Sequence, residues 1–565
     1  MKYTGAEIII KLLEKRGICQ LSGIPGGANL PIYDALSKSK KIRHILARHE
    51  QGAGFIAQGQ ARSNGEVAVF LATSGPGATN AITAVADAKL DSIPVVCITG
   101  QVPQSLIGTD AFQEIDSYGL STPITKHNYF VRSAAELLEV IPEAFRIAEE
   151  GRPGPVWIDV PKDVQNEEIE VEAFPEFEGK APSHTPSIPK IITMSKLINS
   201  AERPILYIGG GAIHSSAHEE ICALAERLKA PVVSSLMGLG TIPVAHPQFA
   251  GMLGMHAARY TQKLLEECDL LMAFGVRFDD RATGKISEFC PQAKIVHIDI
   301  DPSEIGKLKQ PTISMEADLR DALDALLPHV LERSDKTWLK RLEELKERFP
   351  LETPNAGSLF SPYGILLQSA KMLEGEFFVT TDVGQHQMRV AQCFPFEKPR
   401  QWMTSGGLGT MGFGLPAAIG AALEHPEATA VCYTGDGSLL MNIQELALIA
   451  EEGLNIKVIV SNNDSLGLVY QQQSLFYGKR EMASRYQQRV DFCQIAEGFG
   501  IEAIDLGKVE NPQSTLEQAM KSKEGVLINV PISVEDHVFP MVPPGGANHE
   551  MICGLKETAQ KGALS

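Results

Sequence analysis

Short apolar runs recur along this chain, separated by longer stretches whose apolar positions fall at helical spacing. Residues 4–16 read as an amphipathic helix, and 19–24, 42–47, 67–72, 95–99 and 156–160 read as strands that alternate with helices. Such alternation predicts parallel sheets covered on both faces. Residues 166–190, rich in Glu, Pro and Ser and without clear periodicity, read as a linker. A second alternating set follows, with strands near Ile205, Val232, Leu270 and Ile295. Asp301-Pro302 then predicts a helix start, with Asp301 as N-cap and Pro302 in the first turn, and 336–349 predicts a charged surface helix. After a second linker, a third alternating region runs to about Ser533, and the polar tail beyond Pro543-Pro544-Gly545-Gly546 is expected to be mobile. The predicted fold class is α/β, with three doubly wound, mainly parallel domains at 1–165, 191–349 and 363–540. Linkers at 166–190 and 350–362 join them, and a tail occupies 541–565. No internal repeat is evident, which leaves open whether the first and third domains share a fold.

The most informative stretch is VCYTGDGSLLMNIQELALIAEEGLNIKVIVSNNDSLGLV, residues 431–469. An apolar strand meets the turn Gly435-Asp436-Gly437, a helical pattern passes through Leu440, Ile443, Leu446, Ala447 and Ala450, and a second apolar strand ends at Asn462-Asn463. Asp436 and Asn463 therefore sit at strand C-terminal ends, the edge where open parallel sheets bind ligands. A carboxylate and an amide oxygen converging there suit Mg²⁺, which takes hard oxygen ligands and commonly shares them with a phosphate. The glycines let backbone approach that phosphate, and a helix N-terminus favours its charge. Taken singly, Gly-Asp-Gly is a turn and Asn-Asn a strand exit. Glu50 likewise follows a strand and opens a helix with apolar positions at Ala53, Ile56, Ala57 and Ala61, where alone it would serve the helix dipole.

Composition narrows the class. The chain has 565 residues, 44% of them hydrophobic and 21% charged, as expected of a multidomain globular protein. A net charge of −18 argues against sequence-independent nucleic-acid binding. Nine scattered cysteines without a C-x-x-C predict reduced thiols rather than a disulfide framework or zinc site. The start, MKYTGAEIII, has no signal-peptide pattern, and no apolar run is long enough to span a bilayer, so a cytoplasmic protein without membrane contact is expected.

Paired in this order, Gly-Asp-Gly and Asn-Asn resemble the cofactor motif of thiamin diphosphate enzymes. The resemblance implies Mg²⁺ held by Asp436, Asn463 and the backbone carbonyl of Ser465, with Gly435, Gly437, Ser438 and Leu468 also against the cofactor. Glu50 then matches the glutamate that these enzymes set against N1′ of the aminopyrimidine, where a carboxylate favours the imino tautomer that removes the C2 proton. One domain of the family holds the pyrimidine and another the diphosphate, usually from different chains, so a homodimer or dimer of dimers is implied.

GIPGGANLPIYDAL, ILARHEQGAGFIAQGQAR, SGPGATN, GTDAFQE, GRPGPVWIDVPKDV, FGVRFDDR, DVGQHQM and TSGGLGTMGFGLPAA together resemble the catalytic subunits of the acetohydroxyacid (acetolactate) synthase family over nearly the whole chain. That resemblance implies decarboxylation of pyruvate and condensation of the two-carbon fragment with pyruvate or 2-ketobutyrate, on the route to branched-chain amino acids. It places Gly27 beside the reacting carbon, with its N–H near a developing oxyanion. Phe112, Gln113 and Lys162 would line the substrate tunnel, Gln385 and His386 would contact the diphosphate, and Gly409, Thr410 and Met411 the pyrimidine. Arg281 would pair with the second substrate's carboxylate; the bland alternative is a surface salt bridge to Asp279 or Asp280.

In the middle domain Gly209-Gly210-Gly211 follows a strand, but the third glycine of a dinucleotide fingerprint would fall at His214, so that motif fails. The family instead binds FAD there, without net redox chemistry. Carried over, its contacts are Arg152, Gly209, Gly210, Gly211, Leu253, Gly254, Met255, His256, Gly275, Val276, Arg277, Asp299 and Ile300. Where many of these synthases carry a Trp, this chain has Gln472, which weakens the expectation of a strong preference for 2-ketobutyrate. A small regulatory subunit is the expected partner. The alternatives are a pyruvate oxidase, a glyoxylate carboligase, against which Glu50 counts, or a silent binding subunit, against which Glu50, Asp436 and Asn463 count.

Overall fold

The computed structural model describes residues 1–177 and 185–554, and all but two of its described strands form three six-stranded parallel sheets. The first contains Gln20–Gly23, Arg43–Leu46, Ala68–Ala72, Val95–Gln101, His127–Phe130 and Val156–Pro161. The third contains Phe377–Thr381, Trp402–Met403, Thr429–Gly435, Ile456–Asn462, Glu502–Asp505 and Val526–Pro531. With strands numbered in chain order within each sheet, both run 2-1-3-4-6-5. The first and third sheets thus share a topology without a visible sequence repeat, because buried parallel strands ask only for apolar residues. The middle sheet, from Pro204–Ile208 to Ile313–Glu316, runs 3-2-1-4-5-6, the doubly wound order with its switch point between strands 1 and 4. The expected α/β class therefore holds. Among the described residues no helix is long and apolar enough to cross a membrane.

Local signals set many of the helices. Gly5–Arg16 opens on a reciprocal capping box between Thr4 and Glu7 and closes at Gly17 in the left-handed region. The helix Glu50–Asn64 is buried on nearly every side. One face packs on the first sheet and the other on Gly414–Glu424 of the third region. A methyl at Gly59 would run into the Ala417 carbonyl oxygen, and one at Gly420 into that of Ile56. Phe55 and Phe413 stack edge to face beside this crossing, with centroids 5.3 Å apart.

Several expectations need correction. The Asp301 segment forms turns, not a helix, because Asp301 Oδ1 accepts from the Ser303 N–H at 2.9 Å and its hydroxyl at 2.6 Å, closing a local Asx turn. The helix after Asp436 breaks into Asp436–Leu439, Ile443–Glu445 and Leu446–Glu452, interrupted at Met441-Asn442. The helix Thr337–Arg348 is not purely a surface helix; it buries Trp338, Leu342 and Leu345, and the Trp338 indole donates to the Pro204 carbonyl at 2.9 Å. Part of the first linker, Glu168–Glu170, pairs antiparallel with Lys2–Thr4. The tail is docked as far as Gly554: Val542 N–H donates to Met255 O, Lys285 N–H to Gly546 O, and Met541 pairs with Ile552. Its remainder, 555–565, and linker residues 178–184 lie outside the described residues. The edge strands His127–Phe130, Phe249–Met252, Ile313–Glu316, Trp402–Met403 and Glu502–Asp505 went unread, as did Phe377–Thr381 and Val526–Pro531 within the third sheet.

The helix crossing generates the first prediction. Gly59→Val should destabilise the chain by about 1–3 kcal/mol through overpacking and lower the thermal midpoint. Gly498→Ala, where the new methyl meets nothing within 4 Å, should leave it unchanged.

Candidate active site

The residues singled out in the third region gather at the carboxyl ends of its strands. Gln385 and His386 follow Phe377–Thr381, Gly409, Thr410 and Met411 follow Trp402–Met403, Asp436 follows Thr429–Gly435, and Asn463 follows Ile456–Asn462. Asp436 spans two of these ends: Oδ1 accepts the Gly437 N–H at 2.8 Å and Oδ2 the Ser465 N–H at 3.0 Å. Burial pushes its carboxyl up to about 6, so a cation beside it would offset a real electrostatic penalty. Of the two asparagines, Asn462 is engaged in the sheet, donating to Asn529 at 3.0 Å. Among the described residues no group of three or more His, Cys, Asp or Glu is placed to hold a metal. One carboxylate with amide and carbonyl oxygens is instead a donor set that leaves positions for diphosphate oxygens, which fits Mg²⁺.

Around it lie groups suited to a diphosphate. His386 is buried with Nε2 unpartnered, and burial pushes its ring down to about 3, which keeps it neutral. Gln385 donates to Gln471 at 2.8 Å, and Gln471 in turn exchanges bonds with the Val538 N–H and C=O, each 2.8 Å. The Ser438 hydroxyl donates to Val383 O at 3.1 Å. The helix Gly467–Phe476 carries Leu468 and Gln472, both half-buried. Buried Asp382, pushed up to about 6 by burial, accepts the Gly412 N–H at 2.6 Å and so fixes the backbone next to Met411.

The first sheet gathers its candidates in the same way. Gly27 follows Gln20–Gly23, Glu50 follows Arg43–Leu46, Phe112 and Gln113 lie on the segment after Val95–Gln101, and Lys162 follows Val156–Pro161. Glu50 is buried and accepts from the Asn80 amide at 3.0 Å, while His49 caps its helix by accepting the Gln51 N–H at 3.1 Å. A side chain at Gly27 would meet nothing within 4 Å, so its backbone borders open space. Gln113 has φ +60° and packs against Gly75, whereas Phe112 is 88% exposed. Among the described residues, no hydrogen bond joins Glu50 to Asp436 or to the loop 405–411 of its own chain. Each cluster lies beside exposed apolar side chains, Phe112 and Leu30 on one and Leu408, Leu440, Met441 and Tyr486 on the other.

The middle domain places Gly209, Gly210 and Gly211 after strand Pro204–Ile208 and Gly275, Val276 and Arg277 after Leu270–Phe274, which flank the switch point. The two turns touch: Gly211 N–H donates to Gly275 O at 3.3 Å, and a methyl on Gly211 would lie 2.7 Å from Gly275 Cα. Leu253, Gly254, Met255 and His256 follow Phe249–Met252, and Met255 N–H donates to Arg281 O at 2.8 Å. His256 Nδ1 bonds Pro540 O at 2.9 Å, its buried Nε2 has no partner, and burial pushes the ring down to about 4. Asp299 ends the neighbouring strand, Lys294–Asp299, and Ile300 follows it. Arg152 reaches across to Glu304 at 2.8 Å and Asp301 at 3.2 Å, and Arg277 donates to Leu90 O at 2.7 Å. Glycine turns flanking the switch point, a buried imidazole with one unpartnered nitrogen, and Arg152 and Arg277 are groups that fit an extended anionic ligand such as FAD. Arg281 is 68% exposed and forms a long surface ion pair with Asp280 at 3.8 Å, the bland alternative, without a hydrogen bond between them.

Sequence reading missed the buried acids that hold these loops: Asp87, Asp91, Asp159, Asp382 and Glu445. Asp159 accepts from Thr99 at 2.8 Å, Gln101 at 3.0 Å and Ser117, fixing both roots of the segment that bears Phe112 and Gln113. The readable signal was Asp87 and Asp91, four apart on a helix otherwise lined with Ala and Val.

Sheets of matching topology, each with candidate residues at its carboxyl ends and flanking a doubly wound middle domain, define a class. Models of the thiamine pyrophosphate enzymes match all three: the N-terminal TPP binding domain at residues 3–120, the central domain at 191–326 and the C-terminal TPP binding domain at 382–530. The chain is 54% identical to the acetolactate synthase isozyme 1 large subunit of Escherichia coli over 551 residues, 98% of each chain. It is 46% identical to a probable acetolactate synthase large subunit of Methanocaldococcus jannaschii over 96% of this chain and 94% of that one. It is 44% identical to a chloroplastic acetolactate synthase of Oryza sativa over 97% of this chain and 87% of the other. The chain belongs to the acetolactate synthase family of thiamin diphosphate enzymes.

Asp436→Ala is expected to weaken Mg²⁺-dependent thiamin diphosphate binding by more than the roughly 10- to 100-fold typical of losing an outer-shell partner. Titration of the cofactor with and without Mg²⁺ measures this, and unchanged affinity would remove Asp436 from the metal site.

Proposed function

We propose that this chain is an acetolactate synthase catalytic subunit: it decarboxylates pyruvate and joins the two-carbon fragment to a second 2-keto acid, pyruvate or 2-ketobutyrate. The observation that carries the reading is Asp436 bridging Gly437 and Ser465 at two adjacent strand ends, in a chain alike over almost its full length to proteins of that name. When bound, thiamin diphosphate supplies the nucleophilic carbon and accepts the electron pair left by CO₂. The chain's residues orient and shield it. Asp436, Asn463 and the Ser465 carbonyl take Mg²⁺; Gln385, His386 and Ser438 take the diphosphate; Gly409, Thr410 and Met411 take the pyrimidine. Glu50 holds negative charge at N1′, and the Gly27 N–H stabilises developing oxyanion charge. Phe112, Gln113 and Lys162 line the approach for substrate, and Arg281 takes the acceptor carboxylate, since its guanidinium is exposed and held only by a long surface ion pair to Asp280.

The domain division follows: 1–165 for the pyrimidine, 191–349 for FAD and 363–540 for diphosphate and Mg²⁺, with linkers at 166–190 and 350–362 and a tail at 541–565. Glu50 bonds Asn80 and Asp436 bonds Ser465, within separate clusters that each lie beside exposed apolar side chains. This supports a site completed by a second copy of the chain, hence a homodimer or dimer of dimers. Relatives named large subunits support a small regulatory partner. A cytoplasmic setting agrees with cysteines that form no disulfide among the described residues.

Pyruvate alone should yield acetolactate with the flavin remaining oxidised; flavin bleaching at the turnover rate would favour an oxidase instead. Gln472 is a flexible polar wall where a rigid apolar ring would grip an extra methyl group. One methylene in an apolar pocket is worth roughly 10- to 200-fold in discrimination. Gln472→Trp should therefore shift product toward 2-aceto-2-hydroxybutyrate when the two acceptors compete at equal concentration. An unchanged ratio means that Gln472 does not set acceptor choice.

A further inference from the structure

The C-terminal end of helix Pro76–Asp91 meets the loop that precedes Met411. Asp91 Oδ2 accepts the Gly406 N–H at 3.0 Å, and Oδ1 the Gly407 N–H at 2.7 Å. Asp87 Oδ2 accepts the Thr410 hydroxyl at 2.9 Å and the Ser405 hydroxyl. The Ser405 oxygen in turn accepts the Thr410 N–H at 2.8 Å, closing the loop on itself. Arg62 completes the cluster, with Nη2 at 2.8 Å from Asp91 and 3.4 Å from Asp87, Nη1 donating to Thr404 O at 3.0 Å, and its guanidinium over the Phe413 ring at 4.9 Å. All three side chains are buried.

Two buried carboxylates face one guanidinium, so the cluster lacks a positive charge. Loop backbone N–H groups and hydroxyls supply the missing stabilisation, and the acids in turn satisfy the loop. Neither can shift alone without stranding a buried polar group. The raised carboxyl of Asp87, pushed up to about 6 by burial and by Asp91, agrees with this shortage. The helix end is itself fixed from two further sides: Leu90 O accepts from Arg277 at 2.7 Å and the Ser92 hydroxyl from Arg152 at 2.8 Å. At its far end the loop is tied to Asp382 through the Gly412 N–H at 2.6 Å.

We propose that Asp87 and Asp91, with Arg62, are positioning residues for the thiamin site: from the first domain they set the backbone of residues 405–411, and so the surface that meets the cofactor's pyrimidine. The inference rests on the reading that Gly409, Thr410 and Met411 take the pyrimidine. It separates the two halves of the ligand, because the cluster shapes the pyrimidine surface and touches none of the diphosphate residues.

The test compares thiamin diphosphate with inorganic pyrophosphate, each titrated with Mg²⁺ into the full chain carrying Asp87→Asn or Ser405→Ala. Asp87→Asn should weaken thiamin diphosphate by roughly 10- to 100-fold and leave pyrophosphate within about twofold; Ser405→Ala should move it the same way by less. Asp436→Ala should weaken both ligands. Equal loss of both ligands in Asp87→Asn and Ser405→Ala, or no loss of either, overturns the proposal and leaves a cluster that only stabilises the interface. Should Asp87→Asn not fold, Ser405→Ala, which removes one hydroxyl, decides alone. If the unaltered chain binds thiamin diphosphate no more tightly than pyrophosphate, the pyrimidine reading itself fails, whatever Asp87 does.

Discussion

The structure depends on one crossing, where helix Glu50–Asn64 lies against helix Gly414–Glu424 closely enough that Gly59 and Gly420 have no room for a methyl. That contact locks the first α/β domain to the third and fixes the position of everything the first helix carries. At its start is Glu50, and in its last turn is Arg62. Its entry is pinned from the third domain, where buried Glu445 accepts the Arg48 N–H at 3.0 and 3.2 Å. A methyl on Gly52 would strike that carboxylate. The small residues in this helix are the consequence of being packed on all sides, where a larger side chain would have to displace backbone.

Buried acids do the positioning at several loops of the candidate site. Burial pushes Asp87, Asp159, Asp382 and Asp436 up to about 6 and Glu445 up to about 7. Each accepts hydrogen bonds from loop or helix-start groups, so the desolvation of the acid and the ordering of the segment are solved together. Asp436 differs from the others in chemistry: its partners are two amides at neighbouring strand ends, and a divalent cation there would add the charge that amides lack. The same logic explains why no chemical step requires a nucleophilic side chain of this chain, since its residues supply orientation and electrostatics around a cofactor.

Strand positions were open to sequence reading only in part. Central strands such as 67–72 and 156–160 are apolar runs and announce themselves, whereas edge strands such as His127–Phe130 are short and polar on one face. The Asp436 and Asn463 placement was legible because both sit where an apolar run stops. The Asp301 helix was misread because an Asp–Pro pair starts turns as readily as helices, and a local side-chain bond decided it. The docked tail was misread because its anchoring groups, the Met255 carbonyl and Lys285 N–H, are backbone and leave no trace in the sequence. Long-range ion clusters such as Arg62 with Asp87 and Asp91 escape for the same reason: their spacing along the chain says nothing of who faces them.

The central claim is that Glu50 and Asp436 serve one site from different chains. The direct test is complementation between Glu50→Gln and Asp436→Ala chains, co-expressed with distinct tags and purified through both. A mixed dimer holds one intact site and one doubly altered site. Random pairing of the chains should therefore restore about a quarter of the unaltered activity, and the doubly tagged fraction about half. Activity no higher than the sum of the two inactive parents would contradict the account.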